Sequence, residues 1–142
     1  IAAAALIGPS QVAARLLEYA LVRRIQPITT ARLAALGHPL GAAVLLAVGG
    51  VAAPVFAVLH GMGNGVMTIV KGTLPLAVFG PAGYGARQGL LTAPSRFLQA
   101  LAPFAFGLLL ERAGVEVALA VTSGLTFAAF VALLALKVQV RR

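Results

Sequence analysis

Five apolar runs divide this chain of 142 residues, each near the roughly 20 residues that cross a bilayer as a helix. They cover about 1–22, 33–48, 51–70, 88–110 and 115–136, and Gly49-Gly50 offers a turn between the second and third. Residues 71–87 are rich in Gly and Pro and read as a connecting loop, with a short interfacial helix around Leu74 to Phe79. Polar and apolar residues do not alternate along the runs, which argues against a lipid-spanning barrel. Soluble domains carry roughly 25% charged residues, whereas this chain has 10%, with 61% hydrophobic residues and a mean hydropathy of +1.01. So few charges cannot coat a globule in water. The expected fold is all-α: a polytopic membrane helical bundle of about five transmembrane helices, with the lipid bilayer as its solvent and first partner.

Other classes fall away quickly. The chain has no cysteine, which removes disulfides, thiolate metal sites and cysteine nucleophiles. Its net charge of +8 is scattered between apolar runs and forms no basic face, so nucleic acid is not an expected partner. No P-loop is present, and no cofactor or metal is expected. The chain is apolar from Ile1 with no charged segment before it, unlike a signal peptide. It reads as the later part of a longer protein, with an N-terminal half still to be added.

Lys and Arg set the expected orientation, because cytoplasmic loops collect them. Arg23, Arg24 and Arg32 fall between the first two runs, Lys71 and Arg87 between the third and fourth, and Lys137, Arg141 and Arg142 after the fifth. The opposite connections hold Arg112 alone, beside Glu111 and Glu116. One alternating topology fits all of these, with a cytoplasmic C-terminus in the cell (inner) membrane and Ile1 on the outer side.

Polar groups inside the runs are the candidate functional residues, since they are costly in lipid and tend to face a bundle interior or wet cavity. Arg96 lies within TAPSRFLQALAP, flanked by Ser95 and Gln99 and bracketed by Pro94 and Pro103. It either lines a substrate cavity together with Gln99 or snorkels to the interface. His60, Asn64, Thr68 and Lys71 recur at spacings of four, four and three, one stripe of a helix. His60 and Asn64 either line a substrate or proton pathway or bond to neighbouring helices. Gly61 and Gly65 form a small-xxx-small face on the next stripe, suited to close helix packing. His38, in GHPLG, has no such stripe and reads as structural. In the first run Gln11 is placed near mid-membrane as a cavity candidate. Arg15 and Glu18, spaced to pair, form with Arg23 and Arg24 a candidate cytoplasmic gate.

ALIGPSQVAARLLEYALVRR, LHGMGNGVMTIVKGTLPLAVFGPAGYGARQGLL and APFAFGLLLERAG together resemble bacterial major facilitator superfamily transporters. These have two six-helix halves around a central cavity, and the five runs resemble their eighth to twelfth helices. Ala14, Arg15, Glu18 and Arg23-Arg24 are similar to the family's G-x-x-x-D-R-x-G-R-R motif, with Ala for Gly, Glu for Asp and one extra residue in the spacing. ERAG resembles the family's turn before its last helix. The resemblance implies a secondary transporter moving a small-molecule substrate, by uptake or efflux, with protons as a candidate coupling ion and the other half of the protein as partner. The competing classes are a non-transporting scaffold and an integral membrane enzyme. With no Asp, no Cys and three scattered Glu, the chain offers little for catalysis and reads as no enzyme.

Overall fold

Three glycines in one backbone conformation punctuate the helices. Gly49 (φ 83°, ψ −165°) and Gly80 (φ 74°, ψ −179°) end helices, and Gly114 (φ 81°, ψ 175°) interrupts one. Positive φ with extended ψ is open essentially to glycine alone. The computed structural model describes residues 2–20 and 25–136. After a short 3-10 turn (Ala4–Leu6) come α1 (Ile7–Ala20), α2 (Pro27–Val48), a second 3-10 turn (Gly50–Ala52), α3 (Ala53–Phe79) and α4 (Tyr84–Ala135). All regular structure among the described residues is helical, as expected.

The helices alternate in direction. Gly37 and Gly41 of α2 abut Leu59, Gly63 and Phe56 of α3 in antiparallel order. Ile7, Gln11 and Arg15 of α1 meet Gly61, Gly65 and Thr68 of α3 in parallel order. Thr122 and Leu133 of α4 meet His38 and Arg32 of α2, again antiparallel. α4 holds 52 residues, about 78 Å if straight at 1.5 Å per residue. Yet it starts beside the end of α3, with Arg87 Nη1 on the Phe79 carbonyl, and finishes beside the start of α2. Those two helix ends lie at the same end of the bundle. The chain therefore reverses at Gly114, and α4 consists of two antiparallel arms.

Five legs result. Arg32, Lys71 and Arg87 lie toward one end of the bundle, and Gly49-Gly50 and the Gly114 reversal, with Glu111, Arg112 and Glu116, toward the other. These described residues follow the expected partition of charge; Arg23, Arg24, Lys137, Arg141 and Arg142, which belong to the same expectation, lie outside the described residues. Three helices, Pro27–Val48, Gly50–Phe79 and Tyr84–Ala135, are long and apolar enough to cross a membrane. The described part of α1 holds 14 residues.

The interior is built mainly from small residues. Ala14, Ala31, Ala35, Ala42, Ala52, Ala57 and Ala118 are buried, joined by Ile28 and Val70, and among the described residues no large side chain is fully buried. Leu90, Phe104 and Val51 are 78%, 75% and 87% exposed. That inverts the arrangement of a water-soluble core. It suits lipid, where close backbone packing rather than apolar burial holds helices together.

The loop expected over 71–87 is not present. α3 continues through Lys71 to Phe79, and only residues 80–83 connect it to α4. Pro75 lacks the N–H that would bond the Lys71 carbonyl, and Gln88 Nε2 supplies that bond instead at 2.9 Å. Tyr84 Oη likewise donates to the Gly72 carbonyl at 3.0 Å. With its freed carbonyl satisfied, the helix survives its proline. α2 also starts earlier than expected, with Pro27 in its first turn after Gln26, a position where the missing proline N–H costs nothing.

Candidate functional site

A cavity of about 330 Å³ lies between α2, α3 and the second arm of α4. Its walls include Ala34, Ala35 and His38 from α2, His60, Gly63, Asn64 and Met67 from α3, and Thr122, Thr126 and Ala129 from α4. Close packing makes this geometry. A Cβ on Gly37 would stand 2.6 Å from the Leu59 carbonyl oxygen, and one on Gly63 would stand 2.6 Å from that of Ala34. α2 and α3 can approach this closely only because both positions are glycine.

That approach brings two imidazoles together at mid-helix. His38 Nδ1 lies 2.9 Å from His60 Nδ1, and His38 Nε2 lies 3.1 Å from Thr122 Oγ1. His38 stands twelfth in a helix of 22 residues. Phe56 stacks on His60 (centroids 5.6 Å apart, planes 11° apart) and meets the edge of His38 at 5.5 Å. The Thr122 hydroxyl also bonds back to the Ala118 carbonyl at 2.9 Å. Asn64, one turn after His60, adds a side-chain amide to the wall. No charged side chain is among these lining residues. The site can accept and donate hydrogen bonds within an otherwise apolar chamber, which is the usual character of a small-molecule pocket.

The expected cavity residues divide. His60 and Asn64 line the chamber together. Gln11 instead packs its backbone against Gly65 at the seam between α1 and α3. Arg96 and Gln99 sit on the first arm of α4, exposed and 3.4 Å from each other, away from the chamber lining. That arm meets α3 chiefly through Tyr84, Arg87 and Gln88 near its start. The expected packing face is present: a Cβ on Gly61 would lie 2.7 Å from the Ile7 carbonyl oxygen, and one on Gly65 would lie 2.6 Å from that of Gln11.

Of the gate candidates, Arg15 reaches Thr68 Oγ1 at 3.4 Å. Among the described residues no ion pair joins it to Glu18, which is half-buried on the same helix. Arg23 and Arg24 lie outside the described residues. His38, read from the sequence as structural, lines the same cavity and contacts both His60 and Thr122. The available signal was Gly37 and Gly41, four apart on the same helix, marking a close helix contact beside it. Thr122 carried no comparable signal, since threonine is common in apolar helices and bonds its own backbone.

No protein-family model, curated protein or solved structure matches this chain.

Proposed function

We propose that this chain is the C-terminal helical bundle of a secondary transporter of the major facilitator type. It would move a small molecule across the inner membrane by alternating access, with a second helical half completing the path. The observation that carries the proposal is the mid-helix chamber holding His38, His60, Asn64 and Thr122 between helices long enough to span a bilayer. Hydrogen-bonding groups are costly at that depth and mark substrate or ion pathways. The end bearing Arg32, Lys71 and Arg87 is assigned to the cytoplasm by the positive-inside rule. A carrier needs no clustered acids, and the sequence has no Asp and three separated Glu. The resemblance of the Ala14 to Arg24 and ERAG segments to that superfamily supports the same assignment.

The test is uptake into vesicles by the full-length protein, screened over small polar and apolar solutes. A double variant, His60→Ala with Asn64→Ala, should lose saturable transport while keeping its helical circular dichroism and monodisperse elution. Wild-type kinetics in that variant would remove the chamber from the transport path.

A further inference from the structure

The polar groups of the chamber form a chain, and the back-bond of Thr122 selects one placement of its protons. A hydroxyl has one proton, and Thr122 directs it at the Ala118 and Leu119 carbonyls, 2.9 and 3.2 Å away. Its oxygen is then the acceptor for His38 Nε2–H at 3.1 Å. A neutral imidazole carries a single N–H, so His38 presents a lone pair at Nδ1. In that placement the 2.9 Å contact with His60 Nδ1 is filled by the proton of His60. That leaves the lone pair of His60 on Nε2, which has no hydrogen-bond partner among the described residues.

We infer that His60 Nε2 is a binding site for one proton on the chamber wall, with its tautomer fixed from Thr122 through His38. Protonation at Nε2 converts His60 to an imidazolium without breaking any bond of the chain. A second proton would have to enter at His38 Nδ1, which already accepts the His60 N–H, and two N–H groups would then face each other at 2.9 Å. The pair takes up one proton and stops.

The two rings are the titratable groups of the chamber among the described residues. The charged and titratable residues on the packed elements are Arg15, Glu18 and Tyr19 of α1, Arg32 of α2, Lys71 of α3, and Tyr84, Arg87, Arg96, Glu111, Arg112 and Glu116 of α4. None of them lines the chamber. The face of Phe56, stacked on His60, is the group placed to attract an imidazolium. Use of this proton as a coupling ion rests on the transport proposal. The site itself does not.

The experiment is ¹⁵N NMR of histidine-labelled full-length protein in lipid nanodiscs, with resonances assigned by His38→Gln and His60→Gln. In the neutral state His60 should carry its proton on Nδ1 and His38 on Nε2. Acidification should protonate His60 Nε2 alone. Thr122→Val, close in shape and lacking the acceptor, should lose the fixed tautomers and give mixed populations at both rings. Neutral His60 protonated on Nε2, two protons entering in one transition, or wild-type tautomers in Thr122→Val would each overturn the inference. The NMR result without proton-driven uptake would count against coupling of this proton to transport and leave the site standing.

Discussion

Replacing Gly65 with alanine adds one methyl group at the seam between α1 and α3. The new Cβ would lie 2.6 Å from the Gln11 carbonyl oxygen, 2.8 Å from its Cα and 3.1 Å from its carbonyl carbon. All three atoms are backbone, so no side-chain rotation relieves the overlap and the helices must separate by several tenths of an ångström. Such overpacking costs about 1–3 kcal/mol. Alanine also gains about 1 kcal/mol over glycine in helix propensity, which partly hides the clash. Gly107→Ala is the control, because it lies within α4 and a Cβ there meets nothing within 4 Å. Propensity is common to both variants, so their difference isolates the clash at about 1–3 kcal/mol. The assay is unfolding of the full-length protein in mixed micelles by increasing SDS, followed by circular dichroism. Gly65→Ala should unfold at lower SDS than Gly107→Ala. Coincident midpoints would refute close packing of α1 on α3.

Three further outcomes follow from particular contacts. Gln88→Met removes the donor that serves the Lys71 carbonyl beneath Pro75, but also a Gln88 Oε1 that is buried without a partner. The net loss should be about 1 kcal/mol, seen as faster hydrogen exchange in the last turn of α3. Arg32 donates from Nε to the Leu133 carbonyl at 3.0 Å and from Nη2 to those of Leu134 and Leu136 at 3.2 Å. Arg32→Lys keeps the charge without the fork, so exchange at the end of α4 should rise, and unchanged protection would count against the cap. Cysteines at Val51, 87% exposed, and Ala82 should label oppositely with an impermeant thiol reagent added outside cells, with the Val51 site reactive; the reverse pattern would invert the assigned orientation.

Helix existence was legible in the sequence because apolar length is a local property. Helix ends were less so. Gly72 and Pro75 are the ordinary signals of a loop, and α3 overrides them with hydrogen bonds from Tyr84 and Gln88. Those partners lie 12 and 17 residues away in sequence, beyond any local pattern. The site was legible in half. His60 and Asn64 stood out by their spacing on one helix. His38 stood alone on its own helix, and its role comes from a ring on another. Arg15 shows the same limit: its spacing to Glu18 allowed a pair, and the fold offered it Thr68 instead.

The two seams of α3 explain why glycines and histidines share one short segment. Gly61 and Gly65 face α1, where the contact is backbone on backbone. Gly63 lies on a different face, against Gly37 and Ala34 of α2, beside the imidazole pair. An N–H···N contact of 2.9 Å tolerates a shift of only a few tenths of an ångström before it weakens. A methyl at Gly63 or Gly37 would force the helices apart by about that much, since each would meet a carbonyl oxygen at 2.6 Å. The glycines of this seam therefore set the distance between two rings that neither of them touches through a side chain. Packing and chemistry are one constraint here, and the loss of helix propensity at Gly63, about 1 kcal/mol, is repaid as position.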